Sequence, residues 1–427
     1  MQNTEIKTGK FNRFRIGKSF FKLNGYGLSA PLKFVSLLVL ILTFSSLAQP
    51  IILTGKELPK LLGNSVASIR VLDLRGNAIP FQIDQVTSDG EYVLSQGKNP
   101  NTGAGDSAAL GPKDEIVFLW NDADIFSDDS PSARDGEEVV ILTRGRSKRI
   151  VTVRADSSIP LSKKRYIEYD HARSHISTPY YYADFGKDRF HFVKAGVKDF
   201  KSGRYVDLTN ELRVEILLKA AWGLIPVRYT EDNIVCLVRR YKAGPIRLIR
   251  RGDFYLDLGL SMKGSKAAVN QICYPQMVEV PVYVNLPVRF RTFFSHAHIE
   301  MTPVLREEAR AFKFSVPNEP LLLPVAGNKL DTLYNMVPDG KMHVVSDGSL
   351  GYGWFLSTTM NPAHMSASGF LLRRPSSRRG GVAECGFRLS VRDVPKGSYH
   401  IINKVVFWGA ERKCGSSELT PVFKMIK

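Results

Sequence analysis

The chain has 427 residues, 44% of them hydrophobic and 23% charged, with a formal net charge of +18. This length and composition exclude a disordered or fibrous chain and leave room for two or three domains with proper cores. A balance this basic favours polyanionic partners but says nothing about fold.

Residues 1–48 read as a signal peptide. Seven cations (Lys7, Lys10, Arg13, Arg15, Lys18, Lys22 and Lys33) precede or open an apolar run from Phe34 to Leu47, and Ser46-Leu47-Ala48 supplies the small residues of a cleavage site. The run is shorter than the roughly 20 residues of a spanning helix, so no transmembrane span is expected after cleavage. The expected location is outside the cytoplasm, periplasmic or extracellular. Without this segment the chain keeps 52 basic and 40 acidic groups. In that setting an acidic polysaccharide or an envelope protein is the expected partner, and nucleic acid is not.

Residues 49–158 predict a small immunoglobulin-like sandwich. Ser68–Leu74 and Ala78–Val86 flank Arg75-Gly76-Asn77, a hairpin signal. Glu115–Trp120 is a further strand, and Glu138–Thr143 with Arg149–Arg154 make a second hairpin. Between them Asp122, Asp124 and Asp128 offer the oxygen ligands that Ca²⁺ takes, although the glycine and glutamate of an EF-hand loop are missing. No other cofactor is expected.

Residues 159–427 predict a large antiparallel β-sandwich with few short helices, so the fold class as a whole is all-β. Asp207–Ala221 alternates apolar residues at Leu212, Val214, Ile216 and Leu218. Three longer runs follow: Ile234–Tyr241, Ile246–Met262 and Met277–Met301. They are dense in β-branched and aromatic residues and predict one sheet with an apolar and a basic face. Arg239, Arg240, Arg247, Arg250, Arg251, Arg289 and Arg291 are the candidate binding cations of that face. Thr302-Pro303, followed by Glu307 and Glu308, predicts a short helix ending by Phe312. Thr420–Ile426 is expected to complete this second unit.

Two groups of residues carry candidate chemistry. His296 and His298 lie two apart in a strand, so both rings face one way, which suits an acid–base pair or two metal ligands. Tyr166, Tyr169, His171, Arg173, His175, Tyr180, Tyr181 and Tyr182 crowd one short stretch. Elimination from a uronic acid needs a cation, a base and an acid, and Tyr181 is a candidate for that chemistry. Tyr180 and Tyr182 are candidates for stacking on sugar rings. Cys236, Cys273, Cys385 and Cys414 allow three pairings, of which Cys236–Cys273 and Cys385–Cys414 join nearest neighbours.

There is no GxSxG, HExxH or P-loop. The expected function is therefore binding of an acidic glycan or other envelope component by an exported, non-catalytic β-sandwich. The alternatives are a polysaccharide lyase or epimerase-like enzyme, and a structural part of a surface complex.

Overall fold

The structure, a computed structural model, describes residues 49–427 apart from 103–107, 128–129, 131–133, 145–146, 187–190, 221–222, 257–266, 287, 293, 316–322, 325–331, 336–338, 366–367, 376–380, 410–423 and 427. Among the described residues the chain is all-β, with only three-residue 3₁₀ turns between strands. The strands form four antiparallel sheets.

Two small sheets come from residues 49–155, joined by Lys424–Ile426. Sheet I orders Pro50–Thr54, Glu115–Leu119 and Phe81–Asp84. Sheet II orders Ile69–Leu72, Ser147–Ala155, Glu137–Arg144 and Lys424–Ile426. Ile51, Leu53, Ile116 and Phe118 meet Val71, Val140, Val151 and Val153 between them. The hairpin expected around Gly76 is reduced to a bridge between Leu72 and Ala78, because the chain then crosses to sheet I as Phe81–Asp84. Pro80 stands at the crossing and cannot donate to a ladder. Lys424–Ile426 also departs from expectation. It pairs with Ile141–Thr143 in sheet II, satisfying backbone groups that Glu137–Arg144 would otherwise leave open on that side.

Two ten-stranded sheets form the larger layers. Sheet III runs Thr332–Asn335, Gly369–Arg373, Ala383–Val391, Phe294–Leu305, Arg204–Ala220, Phe192–Asp199, Tyr181–Phe185, His175–Ser177 and Glu168–Asp170, with Ile225–Thr230 on the flank of Arg204–Ala220. Sheet IV runs Leu323–Pro324, Lys313–Ser315, Asp339–Ser346, Gly351–Thr358, Gly397–Trp408, Met277–Leu286, Ala267–Cys273, Leu248–Leu256, Ile234–Ala243 and Gln96–Gly97. Their facing sides share one core, in which Tyr181 stacks on Phe407 at 4.5 Å and Trp354 stands edge-on to Phe387 at 5.1 Å.

Two expectations fail here. The Met277–Met301 run is two strands, Met277–Leu286 in sheet IV and Phe294–Leu305 in sheet III. The helix expected from Thr302 is instead the end of the second strand, followed only by a turn at Glu307–Ala309. Thr302, Val304 and Leu305 are wholly buried between two neighbouring strands, and that burial outweighs the local capping signal.

The small sheets dock on sheet IV through both apolar and ionic contacts. Glu115–Leu119 is buried on both faces: Ile116 and Phe118 point into the small core, while Val117 and Leu119 meet Ile246, Ile249 and Ile272. Beside them the fully buried Arg247 donates from Nε to Asp84 Oδ2 at 2.7 Å and from Nη2 to Glu115 Oε2 at 2.5 Å. Lys242 Nζ lies 3.0 Å from the other Asp84 oxygen. Burial alone would raise the Asp84 carboxyl, but Arg247 and Lys242 hold it below the usual carboxylate range.

Two predictions follow from buried charge and polarity. Asp84→Ala takes a buried carboxylate from Lys242 and from Arg247, which keeps Glu115, and the loss in urea-unfolding free energy is expected to be about 3–5 kcal/mol; a loss under about 1 kcal/mol would show the pair to be unimportant. His343 is wholly buried against Phe370, with neither ring nitrogen hydrogen-bonded among the described residues, and burial lowers its pKa to about 3. Its pKa is thus depressed on folding, so stability is lost as pH falls from the unfolded value near 6.5 toward about 3, by about 1.4 kcal/mol per unit. His343→Leu is expected to flatten that slope, measured as Tm between pH 7 and pH 5.

Candidate functional site

The Phe294–Leu305 strand lies inside sheet III, flanked by Arg204–Ala220 and Ala383–Val391. Alternation sends Ala297 into an apolar cluster with Leu389 and Val391. It sends His296, His298, Glu300 and Thr302 to the other face. The register sets Lys219 opposite His296, and Leu217 and Ser390 on either side of His298.

The two rings touch, with centroids 4.0 Å apart. Arg392 Nε donates to His296 Nδ1 at 3.2 Å, which requires a lone pair there and places the His296 proton on Nε2. His298 Nδ1 is 2.6 Å from Ser390 Oγ. A cleft of about 600 Å³ opens over them, lined by Lys219, Arg291, Ser295, His296, His298, Arg392 and Asp393. Asp393 is the one acid in this lining, and it is held by a two-pronged pair with Arg289. The hydrogen bonds from Arg289 keep its carboxyl below the usual range. Lys219, Arg291 and Arg392 are exposed, and none forms an ion pair among the described residues.

This cleft is therefore cationic around two neutral rings. Burial lowers the His296 pKa to about 4, helped by His298, Arg392 and Lys219. His298 is lowered too, by burial and then by Arg388, against the pull of Glu300.

Beneath the histidines lies a ladder of alternating charge across five strands. Arg228 pairs with Glu215, Glu215 with Arg213, Arg213 with Glu384, Glu384 with Arg373, Arg373 with Glu300 and Glu300 with Arg388, at 2.5–3.2 Å. Burial would raise the Glu300 carboxyl, but Arg373 and Arg388 bring it below the ordinary range. Each carboxylate meets two guanidinium groups, so none is left buried and unpaired.

The other candidate residues lie elsewhere. The basic face does not form as expected, because most of its arginines are engaged within the protein. Arg247 is buried as described, and Arg250 is buried over the Phe185 ring at 4.1 Å with Nη1 on Gln271. Arg239 pairs with Asp253, and Arg240 and Arg251 both pair with Glu91. Of the seven, Arg291 lines the cleft and Arg289 braces it.

Tyr181 is core, not a proton donor for a ligand. It sits on a strand separated from the histidines by two others. Tyr182 donates to Asp207 and Tyr180 packs edge-on against Phe200, so neither presents a free sugar platform. His171 stacks on Tyr241, and His175 Nδ1 lies 2.6 Å from Asp184.

Asp122 accepts from Tyr166 and Lys164, and Asp124 accepts from the Leu74 amide. Asp128 lies outside the described residues. Among those described, no group of three or more His, Cys, Asp or Glu could hold a metal.

Cys236, Cys273 and Cys385 are buried free thiols, and Cys414 lies outside the described residues. Cys236 and Cys273 cannot meet. They lie on either side of Leu248–Leu256, opposite Phe254 and Leu248, far beyond the roughly 7 Å that a disulfide spans.

Lys219, Ser390 and Arg392 are site residues that no sequence motif marks. Lys219 and Arg392 line the cleft, and the buried Ser390 holds His298 from behind, only because of cross-strand neighbours.

No family model and no curated protein matches the chain. Among solved structures it is similar to an alpha-mannosidase from Enterococcus faecalis V583, at 7% identity and a TM-score of 0.44 over 90% of this chain and 44% of that one. It is also similar to a protein in glycosyl hydrolase family 38 from Enterococcus faecalis, at 9% identity and a TM-score of 0.37 over 90% of this chain and 48% of that one. The chain thus spans less than half the length of either, and likeness at this level carries nothing about substrate.

The cleft makes a direct prediction for imidazole titration by NMR. His296 is expected to stay neutral at pH 6 and to titrate near about 4. Arg392→Ala removes a cation beside it and is expected to raise that pKa. An ordinary value near 6.5 in the unaltered protein would contradict the described packing.

Proposed function

We propose that the protein is an exported β-sandwich that binds an acidic glycan, or another anionic envelope component, in the His296/His298 cleft, without catalysis. The observation that carries this reading is the set of three exposed cations, Lys219, Arg291 and Arg392, which form no ion pair among the described residues, around two uncharged rings. A carboxylate can accept from these cations, while hydroxyls exchange hydrogen bonds with Ser295 and the imidazoles. Export, expected from residues 1–48, would place such a cleft among anionic polymers.

Elimination from a uronate is the second reading, and one feature favours it: an unprotonated imidazole beside Arg392. Its basicity argues the other way. A general base works best with a pKa near the operating pH, and a ring at about 4 is a weak acceptor for a carbon-bound proton. Tyr181, the acid such a reaction would have used, is in the core.

Polygalacturonate binding, followed calorimetrically, is the test. Affinity should fall steeply with salt, since the cations are exposed and screened within about 10 Å at 0.1 M. Lys219→Ala and Arg392→Ala should each weaken binding by at least about tenfold, as loss of a charge-assisted hydrogen bond does. Equal binding by these variants would sink the proposal. Product absorbing in the ultraviolet would establish elimination instead.

A further inference from the structure

Burial and neighbouring cations keep both imidazoles of the cleft uncharged. Arg392 Nε points its proton at His296 Nδ1 across 3.2 Å, so a proton on Nδ1 would set two donors against each other. The His298 ring, with its centroid 4.0 Å away, would be a second like charge if both were protonated. The charged groups around the pair come from every neighbouring element. Lys219 comes from Arg204–Ala220, Arg291 from the turn before the histidine strand, Arg388 from Ala383–Val391, and Arg392 and Asp393 from the residues after it. His364 stands beyond Asp393. The two acids are already engaged, Glu300 by Arg373 and Arg388, and Asp393 by Arg289. Among the described residues no further His, Cys, Asp or Glu joins the two rings as a metal ligand.

A bound carboxylate changes what surrounds His296. It accepts from Arg392, so the guanidinium no longer needs the Nδ1 lone pair. It also sets an opposite charge beside the rings, which favours an imidazolium by about 1–3 pKa units. The rings still repel each other when both are charged, so one proton enters and not two. His296 is the ring that takes it, because its Nδ1 is the atom that Arg392 releases. His298 Nδ1 stays on the buried Ser390 Oγ at 2.6 Å.

We propose that the cleft binds its anion together with a proton: the incoming carboxylate draws Arg392 off His296, and His296 Nδ1 takes up a proton from the solvent and donates it in a hydrogen bond to the ligand. The proposal rests on the cleft being an anion site, and it adds that acid tightens the binding. A ligand that raises the pKa of a group binds more tightly as pH falls from the bound value toward the free one. The free ring titrates near about 4.

The test is calorimetry of the full chain with polygalacturonate at pH 7.5 and pH 5.5, where carboxylates of ordinary pKa stay ionised, in two buffers of different ionisation enthalpy. A rise of about two units on binding makes the affinity roughly fourfold higher at pH 5.5. The apparent enthalpy at pH 5.5 should then depend on the buffer, which reports proton uptake. Imidazole NMR of the unaltered protein should show the His296 pKa rising from about 4 at saturation. His296→Gln should abolish the pH dependence and the proton uptake, whatever affinity it retains, and His298→Gln should keep both. An unmoved His296 pKa, equal affinity at the two pH values, or pH dependence that survives His296→Gln overturns the proposal. If polygalacturonate still binds in that case, the anion cleft stands and only the coupling falls; if it binds at neither pH, both fall.

Discussion

The pairing of Phe294–Leu305 with Arg204–Ala220 determines where the charged side chains of sheet III go. Side chains alternate along a strand, so the register that places Ala297 in the apolar cluster also places His296, His298 and Glu300 on the opposite face. A slip by one residue would exchange the two sets, driving histidine and glutamate into an apolar layer. The cleft and the charge ladder beneath it are consequences of that one register.

The ladder explains how a sheet can bury so many ionised groups. A buried pair gains little over apolar packing, but removing one member leaves an uncompensated charge. In sheet III, Glu215, Glu300 and Glu384 each bridge two arginines. Any other register would break several such bridges together. Arg247 plays a comparable part between the small sheets and sheet IV, where it meets Asp84 and Glu115. In both places arginine acts through geometry: its planar fork reaches two acceptors at once.

The same arrangement limits what the chain's positive charge can do outside. Arginines that look like a binding stripe are largely neutralised by neighbours within the protein, so the cations left at the surface of the cleft are few and local. Lys219 and Arg392 come from segments far apart in sequence, and Arg291 from the turn before the histidine strand.

The all-β class, the long Arg204–Ala220 strand and the shared orientation of His296 and His298 were legible in the sequence, since each depends on local alternation and composition. The division of the Met277–Met301 run between two sheets was not. Neither were the pairing of Lys424–Ile426 within sheet II and the pairing of the basic strands with Asp84, Glu91 and Asp253. Those depend on which strands become neighbours, a choice made by burial of whole faces and not by any window of residues. Sequence alone determined which side chains share a face of a strand; only the tertiary structure decided what stands across from them, because opposite charges far apart in the chain meet only when the sheets close.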